Sequence, residues 1–184
     1  MYSWLMDCFD PGNRPMVVLW GHSLGTAVAA NMTANLAELC RAQGRKPLPS
    51  PDALVLEAPF NNLMDEIESH PFSKLVSWLP YYKDTFVKPF TLSSEYAFTT
   101  DTYLAHVPQV PILMLHSKGD KIVPFSLAVK LHTKVAASRT AADAPLVFHA
   151  FERGLGLGHN NLCESPELKE VVGNFLGVVK SRKS

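Results

Sequence analysis

The feature that most constrains this chain is a five-residue turn, Gly21-His22-Ser23-Leu24-Gly25, set between an apolar run and an alanine-rich segment. The run before it, Pro15-Met-Val-Val-Leu-Trp20, is too short for a helix and rich in strand formers, which predicts a buried parallel strand. After it, Leu24 to about Gln43 contains no proline and carries Ala, Leu, Met, Asn and Thr at helical spacing, a helix closed by Gly44. The pattern G-x-S-x-G between a strand and a helix has the form of a nucleophile elbow. The serine sits in a strained turn that lifts its hydroxyl clear of the sheet. Gly21 and Gly25 flank it because neighbouring backbone crowds the turn and a Cβ would collide. The helix aims its N-terminus at the serine, where its dipole favours negative charge, and the Leu24 amide becomes a donor to an oxyanion. Ala27, Ala29 and Ala30 let the helix lie close to the sheet.

Three more buried strands are predicted, at Ala53–Glu57, Ile112–His116 and Leu146–Ala150. A helix from Ser126 to Ala137 separates the last two. A final helix opens with Ser165 as N-cap and Pro166 at its first position, with Leu168, Val171, Val172, Phe175 and Leu176 as its apolar stripe. Met1 to Asp10 reads as an amphipathic helix, so the chain is expected to lack an upstream part. This alternation gives an open, mostly parallel sheet with helices on both faces, within one domain of 184 residues. Residues 1–59 form the elbow part, residues 60–107 an aromatic cap insert, and residues 108–184 the remainder. Phe60, Phe72 and Trp78 of the insert are candidates for an acyl pocket. Lys and Arg number 17 against 17 Asp and Glu, which argues against a nucleic-acid partner or a polybasic membrane stripe. The three widely spaced cysteines, Cys8, Cys40 and Cys163, form no disulfide framework or metal motif. No apolar run reaches the ~20 residues needed to span a bilayer, and the N-terminus has no signal-peptide pattern.

A nucleophilic serine needs a base and an acid that orients the base, in the chain order serine, acid, histidine. Asp120 lies in the turn after the third strand, in Ser117-Lys-Gly-Asp-Lys-Ile-Val-Pro124. His159 follows the fourth strand in a glycine-rich loop just before the last helix. Its competitors fit less well. His22 lies in the elbow and points away from the serine; His116 and His149 lie in or at strands, as core or structural residues; His70, His106 and His132 lie in the insert or on helices, without an acid to orient them. Glu57, at the end of the strand after the elbow, is expected to be structural, bonding nearby backbone amides, with a role as rival acid the alternative.

Leu19-Trp-Gly-His-Ser-Leu-Gly-Thr26, Pro51-Asp-Ala-Leu-Val-Leu-Glu-Ala-Pro-Phe-Asn61, Ser69-His-Pro-Phe72, Val123-Pro-Phe125 and Ser165-Pro-Glu-Leu168 resemble the membrane-associated lysophosphatidylserine lipase and monoacylglycerol lipase subfamily of α/β-hydrolases. The likeness covers nearly the whole chain and implies the C-terminal portion of that fold, with Ser23, Asp120 and His159 as the triad. Arg153-Gly-Leu-Gly-Leu-Gly158, before the base, departs from the family pattern. The resemblance implies a serine hydrolase that cleaves carboxylic esters of single-chain lipids through an acyl-enzyme, with no metal or cofactor. A peptidase or thioesterase on the same fold, or a truncated non-catalytic isoform that binds lipid or protein, is the alternative. It further implies membrane contact of the full-length protein, at the endoplasmic reticulum. The second oxyanion donor and a membrane helix are expected upstream.

Overall fold

The computed structural model describes residues 1–10, 12–62 and 99–182. The expectations placed on Phe72, Trp78 and most of the cap insert lie outside these residues.

The described residues build a four-stranded parallel sheet in the order β1-β2-β3-β4, each strand beside its successor in the chain. These are β1 (Val18–His22), β2 (Ala53–Glu57), β3 (Ile112–Ser117) and β4 (Leu146–Phe151). The helices are α1 (Tyr2–Asp7), α2 (Leu24–Ala34), α3 (Leu36–Ala42), α4 (Thr100–Ala105), α5 (Phe125–Ala137) and α6 (Leu168–Ser181). β2 and β3 are apolar at successive positions because both of their faces are covered. Leu54, Leu56, Ile112 and Met114 point to a layer formed by Ala29 and Ala30 of α2, Leu104 of α4, and Leu131 and Val135 of α5. The alternate residues Ala53, Val55, Leu113 and Leu115 meet Phe175 and Val179 of α6, together with Leu157 and Leu162. The small side chains of α2 make the close approach foreseen for it: Ala27 and Ala30 are fully buried.

Several boundaries differ from the sequence reading for local reasons. The first strand starts at Val18, because Val17 donates its amide to the Asp52 carboxylate (2.7 Å), which also holds Arg14 by two bonds of 2.8 and 2.9 Å. Pairing with β2 therefore begins at Val18 opposite Ala53. The long helix after the elbow is two helices. Asn35 leaves helical geometry at φ −103°, ψ 15°, and its side-chain amide donates to Asn31 Oδ1. Such local bonding makes Asn a poor helix interior. Gly44 closes α3 as expected: the Arg45 amide reaches Cys40 O (2.9 Å) and the Gly44 amide Arg41 O (3.0 Å), the paired bonds of a Schellman end. The last helix starts at Leu168, beyond the expected N-cap. Ser165 instead ends the short turn Leu162–Glu164 and receives the Glu167 amide on its hydroxyl. Helix α4 falls within the stretch assigned to the insert, and its Leu104 is fully buried against the sheet layer.

Candidate active site

Ser23 follows β1 directly and takes φ 51°, ψ −120°, a left-handed backbone that a residue with a Cβ rarely adopts. The conformation is held from both sides. The Ser23 amide donates to Glu57 O (2.9 Å), and the Ser23 carbonyl accepts from the amide (3.0 Å) and hydroxyl (2.6 Å) of Thr26. The first turn of α2 folds back over Gly21. A Cβ there would lie 2.6 Å from the Gly25 carbonyl carbon and 2.7 Å from the Thr26 nitrogen, and closer still to the Gly25 oxygen. The second flanking glycine behaves differently from expectation. Gly25 sits half-exposed in the first turn of α2, and a Cβ would meet nothing within 4 Å among the described residues. Leu24 opens α2, so its amide has no acceptor within the helix and remains available to an anion.

Asp120 stands at the end of β3, on the same sheet edge. Its Oδ1 accepts the amides of Ile122 (2.8 Å) and Val123 (3.0 Å), and its Oδ2 accepts His159 Nδ1 (2.8 Å). Burial pushes this carboxyl's pKa up. The bonds from His159 and the two amides, with the His159 charge, outweigh burial and leave it below the ordinary carboxylate value. A carboxylate on Nδ1 fixes the proton there and leaves Nε2 of His159 unprotonated, the form a general base needs.

The loop bearing His159 is braced against the acid loop. The Ser117 hydroxyl donates to Leu157 O (2.7 Å), Arg153 Nε donates to Lys118 O (2.8 Å), and Lys118 pairs with Glu152. A Cβ on Gly119 would lie 2.7 Å from Leu157 O, so glycine is what lets the two loops touch. Leu157 and Leu162 anchor the two flanks of the loop in the core, and the Gly158 amide is bound by Asn161 Oδ1 (2.5 Å). The glycine-rich segment before His159 opens with a short 3₁₀ turn, Arg153–Leu155.

The structure brings Asp120 and His159 into direct contact, and His22, next to Ser23 in the chain, reaches the same loop. No hydrogen bond joins the Ser23 hydroxyl to His159 among the described residues. Instead His22 Nε2 bonds the His159 carbonyl oxygen (3.0 Å), and the two rings lie 4.9 Å apart between centroids. His22, read from sequence as pointing away, therefore faces the base. Catalytic hydrogen bonds are often long without substrate and tighten when it binds.

The rival residues have other partners. Among the described residues Glu57 accepts the Trp20 indole N–H (3.0 Å) and none of the backbone amides expected for it. His149 meets Glu167, His106 meets Thr102 O, and His132 stacks on Phe148. His116 is fully buried beneath Asp120: its Nε2 lies 3.0 Å from Val123 O and 3.6 Å from Asp120 Oδ2, and its Nδ1 has no hydrogen-bond partner among the described residues. Burial, only partly offset by the Val123 carbonyl and the Asp120 charge, lowers its pKa. Phe60, a pocket candidate, is closed into a small core cluster with Ala27, Val123 and Leu127. Its ring joins the elbow helix to the acid loop. Among the described residues no group of three His, Cys, Asp or Glu could hold a metal ion. No described helix is long and apolar enough to cross a membrane.

No protein-family model matches the chain. Among curated proteins it is similar to the lysophosphatidylserine lipase ABHD12 of Rattus norvegicus, 40% identical over 166 residues, covering 90% of this chain and 39% of that protein. The Danio rerio lipase of the same name is 35% identical over 176 residues (96% and 43%), and human protein ABHD12B is 33% identical over 160 residues (87% and 41%). The chain thus spans about two fifths of the length of the relatives it matches. Among solved structures, the Pyrococcus furiosus esterase Pf2001 matches at TM-score 0.61 and 18% identity, over 97% of this chain and 59% of that one. A Pyrococcus horikoshii acylaminoacyl peptidase matches at TM-score 0.57 and 12% identity, over 89% and 23%. These structural likenesses show the fold.

Proposed function

We propose that this chain, an α/β-hydrolase of the lysophosphatidylserine lipase subfamily, carries the nucleophile, base and acid of a serine hydrolase that cleaves esters of single-chain lipids. The observation that carries the reading is the Asp120–His159 pair, 2.8 Å apart, together with a serine in left-handed geometry at the end of β1. His159 Nε2 takes the Ser23 proton as the oxygen attacks the ester carbonyl. The resulting oxyanion is met by the Leu24 amide and the positive end of α2. The proton passes from His159 to the leaving alcohol, and water activated by the same nitrogen hydrolyses the acyl-enzyme. Asp120 stays ionised throughout and steadies the imidazolium.

The substrate reading rests on the named relatives, which points to lysophospholipids such as lysophosphatidylserine, with monoacylglycerols as the nearest alternative. A site at the endoplasmic reticulum membrane rests on the same resemblance. The test is a fluorophosphonate probe followed by a panel of purified esters, thioesters and N-acyl peptides, all on the full-length protein. Labelling that disappears in Ser23→Ala, with long-chain lysophospholipid or monoacylglycerol turned over fastest, is expected. Labelling that persists in Ser23→Ala, or faster cleavage of peptides, would overturn the reading.

A further inference from the structure

The elbow and the acid–base pair are two separately built halves. Ser23 is fixed by the Gly21 turn and the Glu57 and Thr26 bonds, all on β1, β2 and α2. The imidazole of His159 is held by Asp120, on the loop after β3. Strand β2 lies between β1 and β3, so the sheet alone does not place the ring over the hydroxyl. The apolar cluster of Ala27, Phe60 and Val123 packs the halves together, and His22 adds a direct hydrogen bond to the base's own residue. His22 Nε2 lies 3.0 Å from the His159 carbonyl oxygen, across 137 residues of sequence, and its ring leans on the His159 ring at a 53° tilt.

We propose that His22 is a positioning residue for the base, a role that rests on the reading of Ser23, His159 and Asp120 as a triad. A carbonyl oxygen only accepts, so His22 Nε2 carries the proton and donates. The bond grips the main chain of His159, whereas Asp120 grips its Nδ1. Two fixed points leave Nε2 of His159 little freedom to swing from Ser23. His22 adjoins the nucleophile in sequence, so the base is referenced directly to the strained turn. Its exposed position makes substitution mild for folding.

The experiment separates the donor from the ring. His22→Phe keeps the ring and removes the N–H, His22→Gln keeps a donor at similar reach and removes the ring, and His22→Ala removes both. The rate of fluorophosphonate labelling, kcat and KM for a long-chain lipid ester, and the melting temperature are measured for each on the full-length protein. His22→Phe and His22→Ala are expected to lose about 10–100-fold in labelling rate and kcat, the scale of a misplacement near 1 Å, with KM little changed. His22→Gln is expected to recover most of the loss at an unchanged melting temperature. If His22→Phe does not fold, His22→Ala carries the same expectation. Wild-type rates in the Phe or Ala variant, or a Gln variant as slow as Phe, would sink the positioning role while leaving the triad intact. A wild-type protein with no label on Ser23 would sink the triad reading itself.

Discussion

Gly21→Ala and Gly25→Ala make a matched pair in which sequence pattern and structure disagree. The motif treats the two glycines alike. The structure puts a Cβ at Gly21 within 3 Å of three main-chain atoms of Gly25 and Thr26, and a Cβ at Gly25 in open space. Backbone cannot rotate aside as a side chain can, so relief at position 21 requires α2 to lift from β1. Overpacking of this kind costs about 1–3 kcal/mol, and three simultaneous main-chain collisions put this site near 3. In a domain of this size that lowers the melting temperature by roughly 6–12 °C. At position 25 alanine replaces glycine within a helix, a change favourable by about 0.5–1 kcal/mol. Thermal unfolding followed by circular dichroism, with fluorophosphonate labelling alongside, checks both. Gly21→Ala should melt early and label poorly, and Gly25→Ala should match or exceed the parent in stability. A Gly21→Ala variant within about 2 °C of the parent, or a Gly25→Ala variant as damaged as Gly21→Ala, would refute the steric argument.

Asp120→Asn should keep the fold but offer His159 the wrong hydrogen-bond partner, lowering kcat by up to about 10⁴ in steady-state assays; a loss under tenfold would count against its role. Stability should also depend on pH through His116, whose folded pKa lies below its ordinary value of 6.5. The unfolded chain binds the extra proton first, so stability is full above about pH 6.5 and declines as pH falls toward the folded pKa. His132 shifts in the same direction, whereas the depressed Asp120 acts only further down, below about pH 4. Urea titrations in this range should give a shallower slope for His116→Asn than for the parent, by at most ~1.4 kcal/mol per pH unit; an unchanged slope would place the titration elsewhere.

Much of the layout was legible because it depends on local patterns. The apolar runs at Ala53–Glu57 and Ile112–His116 were unambiguous, since strands buried on both faces leave no polar alternation to misread. The turn at Ser23 was legible because a strand, a crowded Gly21 and a helix coincide there. Asp120 and His159, which the structure shows in contact, are the pair that chain order selects. What escaped were features decided by partners far along the chain. Nothing near Val17 reveals that Asp52 will claim its amide, so the start of β1 was placed too early. The break at Asn35 needed knowledge of where α3 docks. His22 was read as turned away because its contact, the carbonyl of His159, lies 137 residues downstream. Phe60 was read as a pocket wall by its aromatic company, although its position between α2 and the acid loop makes it core.

Strand β2 carries none of the three groups proposed to do chemistry, yet it sits between β1, which leads into Ser23, and β3, which leads into the Asp120 loop. Neighbouring strands stand about 4.8 Å apart, so β2 sets a span of roughly 10 Å that the His159 loop must bridge. The span is a gauge length, and the fully buried side chains Leu54, Val55 and Leu56 are what keep it constant. Which variants this protein tolerates should therefore follow distance as well as proximity to substrate. A trimmed leucine in β2 lies buried in the core, but it lets the two ends of the gauge drift by fractions of an ångström. Drift on that scale can slow proton transfer while the melting curve still reports a folded domain.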